Sequence, residues 1–298
     1  MKKYYLPKMT AAIFGWYEQT RPPEQPQNIG LLLDKYIPAE VINKQEAEDQ
    51  KKDGRTNWLR KMGKVPQNDG QTREKGYQYD DELAWAAYHR WYSYTRALHA
   101  SRFSAEIDWR LIVGLGGNSV LETDITLHHL YGLPIIPGSA LKGLARTYAA
   151  MEDVGDGDDR RKPSTAIDTD TDDIQRIFGM THKQGTVIFF DAFPKDGQAT
   201  FVLDIMNPHY PDYYQQKDKA PTNDQNPRPI TFLVVDQKTT SGQNTTYMFA
   251  LALCQGVEEK HQDDLTRAKT WLCKALENYG VGGKTSAGYG YFKDIGDV

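Results

Sequence analysis

Two stretches with helical periodicity, set among short β-branched and aromatic runs, most constrain the fold of this chain. The first runs from about Ser139 to Ala150 and places Leu141, Leu144, Ala145 and Tyr148 on one face. The second runs from about Asp264 to Tyr279, with Leu265, Ala268, Leu272, Ala275, Leu276 and Tyr279 on one face and Gly280 placed to end it. "FSAEIDWRLIVGLG" precedes the first stretch, and "GTVIFFDAFP", "ATFVLDIM", "ITFLVVDQ" and "TYMFALALC" lie between the two. Their residue types, bounded by Gly, Pro, Asn and Asp, are those of strands, and "GYGYF" supplies a short final one. The order strand, helix, several strands, helix, strand predicts an α+β fold. It fits a split βαβ, ferredoxin-like domain with extra strands inserted, in which both helices pack on one face of an antiparallel sheet.

The first hundred residues have another texture. "EQTRPPEQPQNIG" reads as a loop and "AEVINKQEAEDQKKDG" as a polar helix at best. From Asp81 to Ala100 the spacing of Leu83, Ala87, Trp91, Tyr94 and Leu98 predicts an amphipathic helix, with Asp80 or Asp81 as its cap. The expected organisation is a helical extension over residues 1–102 packed on a domain over 103–298. An acidic, mobile insertion is expected at about 151–174.

That insertion decides how the charge is read. Glu152 to Asp173 carry a net charge of −6, which leaves +2 on the remainder of a chain whose formal charge is −4. The total therefore does not exclude a nucleic-acid partner. Apolar runs too short to cross a bilayer, and no clean signal segment, point to a cytoplasmic protein with no membrane contact. Cys254 and Cys273 lack metal-ligand spacing, so they are expected to be buried, reduced thiols.

"ENYGVGGKTSAGYGYF" contains Gly282-Gly283-Lys284-Thr285, which resembles the end of a phosphate-binding P-loop. The pattern GxxxxGK[ST] would need glycine where Asn278 stands. A P-loop also follows a strand and opens a helix, the reverse of the order here, so nucleotide hydrolysis is excluded. Two readings of the glycines remain. One is a flexible turn; the other is a bare backbone lying against a phosphate chain, with Lys284, Thr285 and Ser286 as donors and Tyr289 available for stacking.

A second motif, "YGLPIIPGSALKGLAR", favours the phosphate reading. Ser139 is placed as N-cap of the first helix, whose amides and dipole would attract an anion, with Lys142 and Arg146 one turn apart on the same face. Gly143 inside the helix costs about 1 kcal/mol against Ala, which fits close approach by another chain or by a neighbouring element.

Together, "IPGSALKGLAR" and "GVGGKTSAGYGYF" resemble the paired motifs of the RAMP superfamily of CRISPR-associated proteins. Residues 114–146 are similar to the sixth-subunit family of type III-B Cmr effector complexes. The likeness is strong over about Leu111 to Tyr148 and Glu277 to Phe292. It departs at Asp124, where a small residue is expected, and at His129, where proline is common. The resemblance implies an RRM-related domain that holds CRISPR RNA, and by extension target RNA, beside other RAMP and small helical subunits, near the 3′ end of the guide. The RNA-binding residues would be Ser139, Lys142, Arg146, Gly282, Gly283, Lys284, Thr285, Ser286 and Tyr289, with no cofactor and no metal.

Related RAMP proteins include endoribonucleases, so His128 and His129 are the catalytic alternative, with Asp124 and Glu122 nearby. Cleavage needs a base for the 2′-hydroxyl and an acid for the leaving oxygen. Adjacent histidines on a strand face opposite ways, so one is expected to pack and the other to hydrogen-bond. The run Asp168, Asp170, Asp172 lacks the Gly and Glu positions of a calcium loop and reads as solvated.

Overall fold

The structure, a computed structural model, describes residues 28–34, 37, 41, 48–63, 81–153, 172–207, 229–257 and 261–298. In chain order the helices are α1 (Ile29–Asp34), α2 (Glu48–Met62), α3 (Asp81–Ala97), α4 (Gly138–Asp153), α5 (Asp172–Phe178) and α6 (Asp264–Asn278). The strands are β1 (Ser101–Ile107), β2 (Arg110–Leu111), β3 (Val187–Phe189), β4 (Phe193–Pro194), β5 (Phe201–Met206), β6 (Ile230–Asp236), β7 (Thr246–Leu253) and β8 (Phe292–Asp297). Two compact units result. Met1–Tyr79, Leu115–Ile125 and Thr200–Val235 make one; Asp80–Gly114, Thr126–Ala199 and Asp236–Val298 make the other. Helix α3 thus falls in the same unit as β1, across the boundary that sequence texture placed at residue 102. Among the described residues no helix is long and apolar enough to cross a membrane.

The larger unit is built on a sheet of order β3-β7-β1-β8, with β4 also pairing β7 and every pairing antiparallel. Along β1, Phe103, Ala105 and Ile107 are buried and alternate with half-buried Arg102, Ser104 and Glu106. Phe103 stands opposite Phe249 of β7, and their rings stack at 4.8 Å. Helix α6 lies on this face: the Lys269 ammonium is 5.7 Å from the Phe103 ring centre, while Ala268, Leu272, Ala275 and Leu276 are buried. Helix α4 packs beside α6 and buries Leu141, Ala145 and Ala149. A Leu→Ala change at a site such as Leu272 would cost about 2–5 kcal/mol.

Arg102 points to the other face of β1, where its guanidinium sits 4.4 Å from the Tyr92 ring centre of α3. The buried side of α3 is Ala84, Ala87, Tyr88, Trp91 and Thr95, whereas Leu83, Tyr94 and Leu98 are exposed. The helix is therefore rotated from the face that the sequence spacing indicated. Trp91 decides the matter: its ring packs on Phe193 and its Nε1 donates to the Asp191 carbonyl at 2.9 Å. The helix ends at Ala97 instead of Ala100; Asp81 is its first residue, and Asp80 lies outside the described residues.

In the smaller unit β5 and β6 pair antiparallel from Phe201↔Val235 to Met206↔Ile230. Helix α1 buries Ile29, Leu32 and Leu33, and the Gly30 N–H donates to Asn28 Oδ1 at 2.9 Å, a conventional cap. Helix α2 buries Trp58, Leu59 and Met62 and ends at Gly63, where a β-carbon would lie 2.7 Å from Leu233 Cδ2. The two inserted strands expected from "ATFVLDIM" and "ITFLVVDQ" thus pair with each other.

Of the acidic stretch, residues 154–171 lie outside the described set. Its ends are ordered helix: Glu152 closes α4, and Asp172 and Asp173 open α5, where acids favour the dipole. Asp173 is paired with Arg176 at 2.6 Å and with Arg267. The insertion, where described, is therefore part of the helical layer.

Candidate nucleic-acid interface

The Gly-rich segment leaves α6 through Gly280, at φ 69°, after both Tyr279 and Gly280 donate to the Ala275 carbonyl. It is then stitched to the chain beyond β1. Gly283 N–H donates to Ile112 O at 2.7 Å, Gly290 N–H to Arg110 O at 2.7 Å, and Val281 N–H to Gly290 O at 2.9 Å. A β-carbon on Gly282 would lie 2.2 Å from Ile112 O, and one on Gly290 2.0 Å from Val281 O. These two glycines serve backbone-to-backbone approach within the protein itself, a role that the sequence reading did not include. The segment is closely held by backbone hydrogen bonds, and the final strand starts at Phe292, beyond "GYGY".

At the tip of the stitched loop stands half-buried Lys284. Its backbone is left-handed, φ 60° and ψ 30°, a conformation that costs a non-glycine residue roughly 1 kcal/mol. A right-handed 3-10 turn, Thr285–Ala287, follows immediately. Ala287 and Gly288 N–H groups donate back to Lys284 O and Thr285 O, each at 2.9 Å. A left-handed residue joined to a right-handed turn aims successive N–H groups to one side and forms a concavity suited to an anion. Within this turn Thr285 is half-buried and Ser286 exposed.

Tyr289 is only 6% exposed and lies against Trp109, ring centres 4.9 Å apart. It does not supply the exposed stacking surface expected of it. Trp109 is the exposed member of the pair, and sequence reasoning missed it by treating "EIDWRL" as one continuous strand.

The second motif is corrected at its first residue. Helix α4 begins at Gly138, and Ala140 and Leu141 donate to the Pro137 carbonyl, so Ser139 is an exposed helical residue and not the N-cap. The capping group comes from far along the chain: Asp191 Oδ1 accepts from Gly138 N–H at 2.7 Å. That carboxylate already answers one end amide and the positive dipole, which weakens a free anion site at the helix start. Lys142 and Arg146 are half-exposed on the same face, about 6 Å apart along the axis. Gly143 between them is exposed, and a β-carbon there would meet nothing within 4 Å. No neighbouring element of the described structure accounts for it.

The helix pairing relates the two motifs. Glu152 of α4 accepts from Trp271 Nε1 at 2.7 Å and from Lys274 Nζ at 2.6 Å, while Tyr148 meets Tyr279 edge to face at 5.6 Å. Lower numbers on α4 therefore match higher numbers on α6, an antiparallel register. It carries Arg146, Lys142 and Ser139 toward the end of the helix pair from which the Gly-rich loop emerges.

The histidines sit elsewhere in their local structure than a strand. Leu127 bridges Pro134, and His128 and His129 lie in the turn between them. His128 Nδ1 accepts from Leu130 N–H at 3.2 Å, and its ring stacks on Tyr131 at 4.6 Å. Burial depresses its pKa, Asp191 opposes that effect and His129 adds to it. His128 is thereby the packed member of the pair, and His129 is exposed. Glu122 and Asp124 also lack a strand: Glu122 has φ 71° and pairs with Arg55, while Asp124 Oδ1 accepts from Ile125 N–H at 2.8 Å. Burial raises the Asp124 pKa, with the Ile125 hydrogen bond opposing and Asp34 reinforcing. Among the described residues no group of three or more His, Cys, Asp or Glu is placed to hold a metal ion.

Residues 109–293 match the model of the RAMP superfamily, a span that opens at Trp109 and closes just past the Gly-rich loop. The chain belongs to the RAMP superfamily. This RAMP chain is 31% identical to the CRISPR system Cmr subunit Cmr6 of Pyrococcus furiosus, over 88% of its own length and 93% of that protein. It is also 28% identical to the Cms endoribonuclease Csm3 of Streptococcus thermophilus, over 63% of its length and 84% of that protein. Its fold matches, with a TM-score of 0.56 and 20% identity over 97% of this chain and 89% of the other, a chain from the cryo-EM structure of the type III-B Cmr-beta bound to cognate target RNA. The RAMP match encloses α4, the stitched loop, β3 and β7, while β1 lies ahead of it.

Proposed function

We propose that this chain is a non-catalytic guide-RNA-binding subunit of a type III-B CRISPR ribonucleoprotein in the cytoplasm. The observation that carries the proposal is the left-handed Lys284 turn, followed by exposed Ser286 and held in a loop tied down by backbone hydrogen bonds. It lies at the end of the helix pair toward which Lys142 and Arg146 run. A guide whose sequence varies has to be held by its backbone, and amides, lysines, arginine and hydroxyls do so without reading bases. The relative from Pyrococcus furiosus, a Cmr subunit by name, supports the assembly. The order β1, α4, β3, β7, α6, β8 with sheet order β3-β7-β1-β8 supports a ferredoxin-like core, elaborated at β5 and β6 and preceded in sequence by α1, α2 and α3. Within the complex we place the chain near the 3′ end of the guide, beside other RAMP and small helical subunits.

The test is guide-RNA affinity as a function of salt for the wild type and for Lys142→Ala with Lys284→Ala. Each lost phosphate contact flattens the logarithmic salt slope by about 0.7, so the pair should flatten it by roughly 1.4 and weaken binding equally for two guides of unrelated sequence. Unchanged affinity and slope would sink the proposal.

A second reading, a metal-independent RAMP endoribonuclease acting on CRISPR RNA, is favoured by the likeness to a Streptococcus thermophilus protein named as an endoribonuclease. His128 or His129 would be its active group. Discrete cleavage of labelled repeat RNA in EDTA, abolished by His128→Ala or His129→Ala, would establish it in place of the first.

A further inference from the structure

We infer that Trp109 and Arg110 form a nucleobase-stacking platform at the foot of the Lys284 turn, so that this end of the protein takes single-stranded RNA by its bases as well as by its phosphates. The inference rests on the RNA-binding reading above and names a contact which that reading does not contain.

Four observations carry it. Trp109 is 43% exposed although its neighbours Ile107, Leu111 and Ile112 are fully buried, because the chain bends at Asp108 and turns the indole outward. The bend is fixed by Asp108 N–H donating to Tyr291 O at 2.9 Å and by the Asp108–Lys293 ion pair at 2.9 Å, so the indole stands on a rigid base. Tyr289 supports the ring from behind at a tilt of 54°. The Arg110 guanidinium lies over the indole ring, 5.0 Å from its centre, and this planar cation, backed by the indole, can receive a base.

The platform is continuous with the anion-binding turn. Gly288, whose N–H is bonded to Thr285 O, is the point of contact: a β-carbon there would lie 3.9 Å from Trp109 Cε3. Arg110 O in turn receives the Gly290 N–H. A phosphate at the Lys284 turn and a base on the Arg110–Trp109 stack are thus served by adjoining surfaces. Stacking on an aromatic tolerates every base, which suits a variable guide.

The experiment is fluorescence anisotropy of the full-length chain with two labelled single-stranded probes of equal length and charge, a twelve-nucleotide oligoadenylate and the same backbone carrying abasic riboses. Trp109→Ala should weaken the oligoadenylate roughly tenfold, leave abasic binding unchanged and leave the salt slope intact; Trp109→Phe should recover most of the loss. Arg110→Lys, which keeps the charge but not the plane, should also weaken the oligoadenylate selectively, and it stands in if Trp109→Ala fails to fold. Lys284→Ala should weaken both probes and flatten both slopes. If Trp109→Ala and Arg110→Lys move both probes equally, or neither, while Lys284→Ala still weakens both, the platform is refuted and guide binding stands. If no variant changes either probe, the RNA-binding reading fails and the platform with it.

Discussion

The Arg176 guanidinium grips the Asp264 carboxylate through Nη2 at 2.8 Å and Nε at 3.1 Å, with Thr186 Oγ1 donating at 2.7 Å to the same group. Asp264, the first residue of α6, is 2% exposed and Arg176 belongs to α5, so this bond ties the shorter helix to the start of α6. Removing one partner of such a pair leaves a buried charge poorly answered.

Arg176→Met should therefore cost about 3 kcal/mol in urea unfolding at neutral pH. Burial pushes the Asp264 pKa up, but the Arg176 and Thr186 hydrogen bonds outweigh it and hold the carboxyl below its ordinary value. A depressed folded-state pKa gives stability that is present above the unfolded carboxylate pKa of about 3.9 and is lost as pH falls below it. The gap between wild type and variant should accordingly shrink below pH 4. A gap that stays constant through that range would show that Asp264 is not the responsible group.

Gly290→Ala should destabilise the chain by about 2 kcal/mol or more, since φ is 75° and the added carbon would lie 2.0 Å from Val281 O. Thermal unfolding checks it, and RNA binding should fall with loop order.

Lys284→Gly separates stability from binding. Relief of the left-handed lysine should raise stability by about 1 kcal/mol, while loss of the cation flattens the RNA salt slope by about 0.7. Loss of stability instead would mean that the lysine side chain holds the loop.

Gly143→Ala should stabilise the isolated chain by about 1 kcal/mol, because the added methyl meets nothing within 4 Å. If RNA or a sibling subunit approaches there, co-purification of the assembled complex should fall despite the gain. Unaltered assembly would leave the glycine without a binding role.

The two core helices and the antiparallel sheet were legible because their periodicities are local: Leu141, Ala145, Leu272 and Ala275 are buried as their spacing indicated. The helix cap was not, because Gly138 is capped by Asp191, which lies 53 positions away. Helix α3 misled because it carries aromatic residues on more than one side, and only the Asp191 carbonyl and Phe193 select the Trp91 side. At the site, the glycines marked the right loop, but Gly282 and Gly290 are required by Ile112 and Val281, contacts that no spacing reveals. Trp109 was hidden for a related reason, since alternation from Phe103 and Ile107 assigns it to the core and only the bend at Asp108 reverses it.

The placement of α3 over the Arg102 side of the sheet has a consequence for what kind of reader this protein is. RRM domains spread bases across the open face of a four-stranded sheet. Here α6 occupies one face and Tyr92 of α3 stands over Arg102 on the other, so part of β1 is covered on both sides. On the function proposed above, a strand of RNA is met at the rim, where loops leave the sheet. The protein then acts less as a page on which nucleotides are laid out than as a clip on the edge of one.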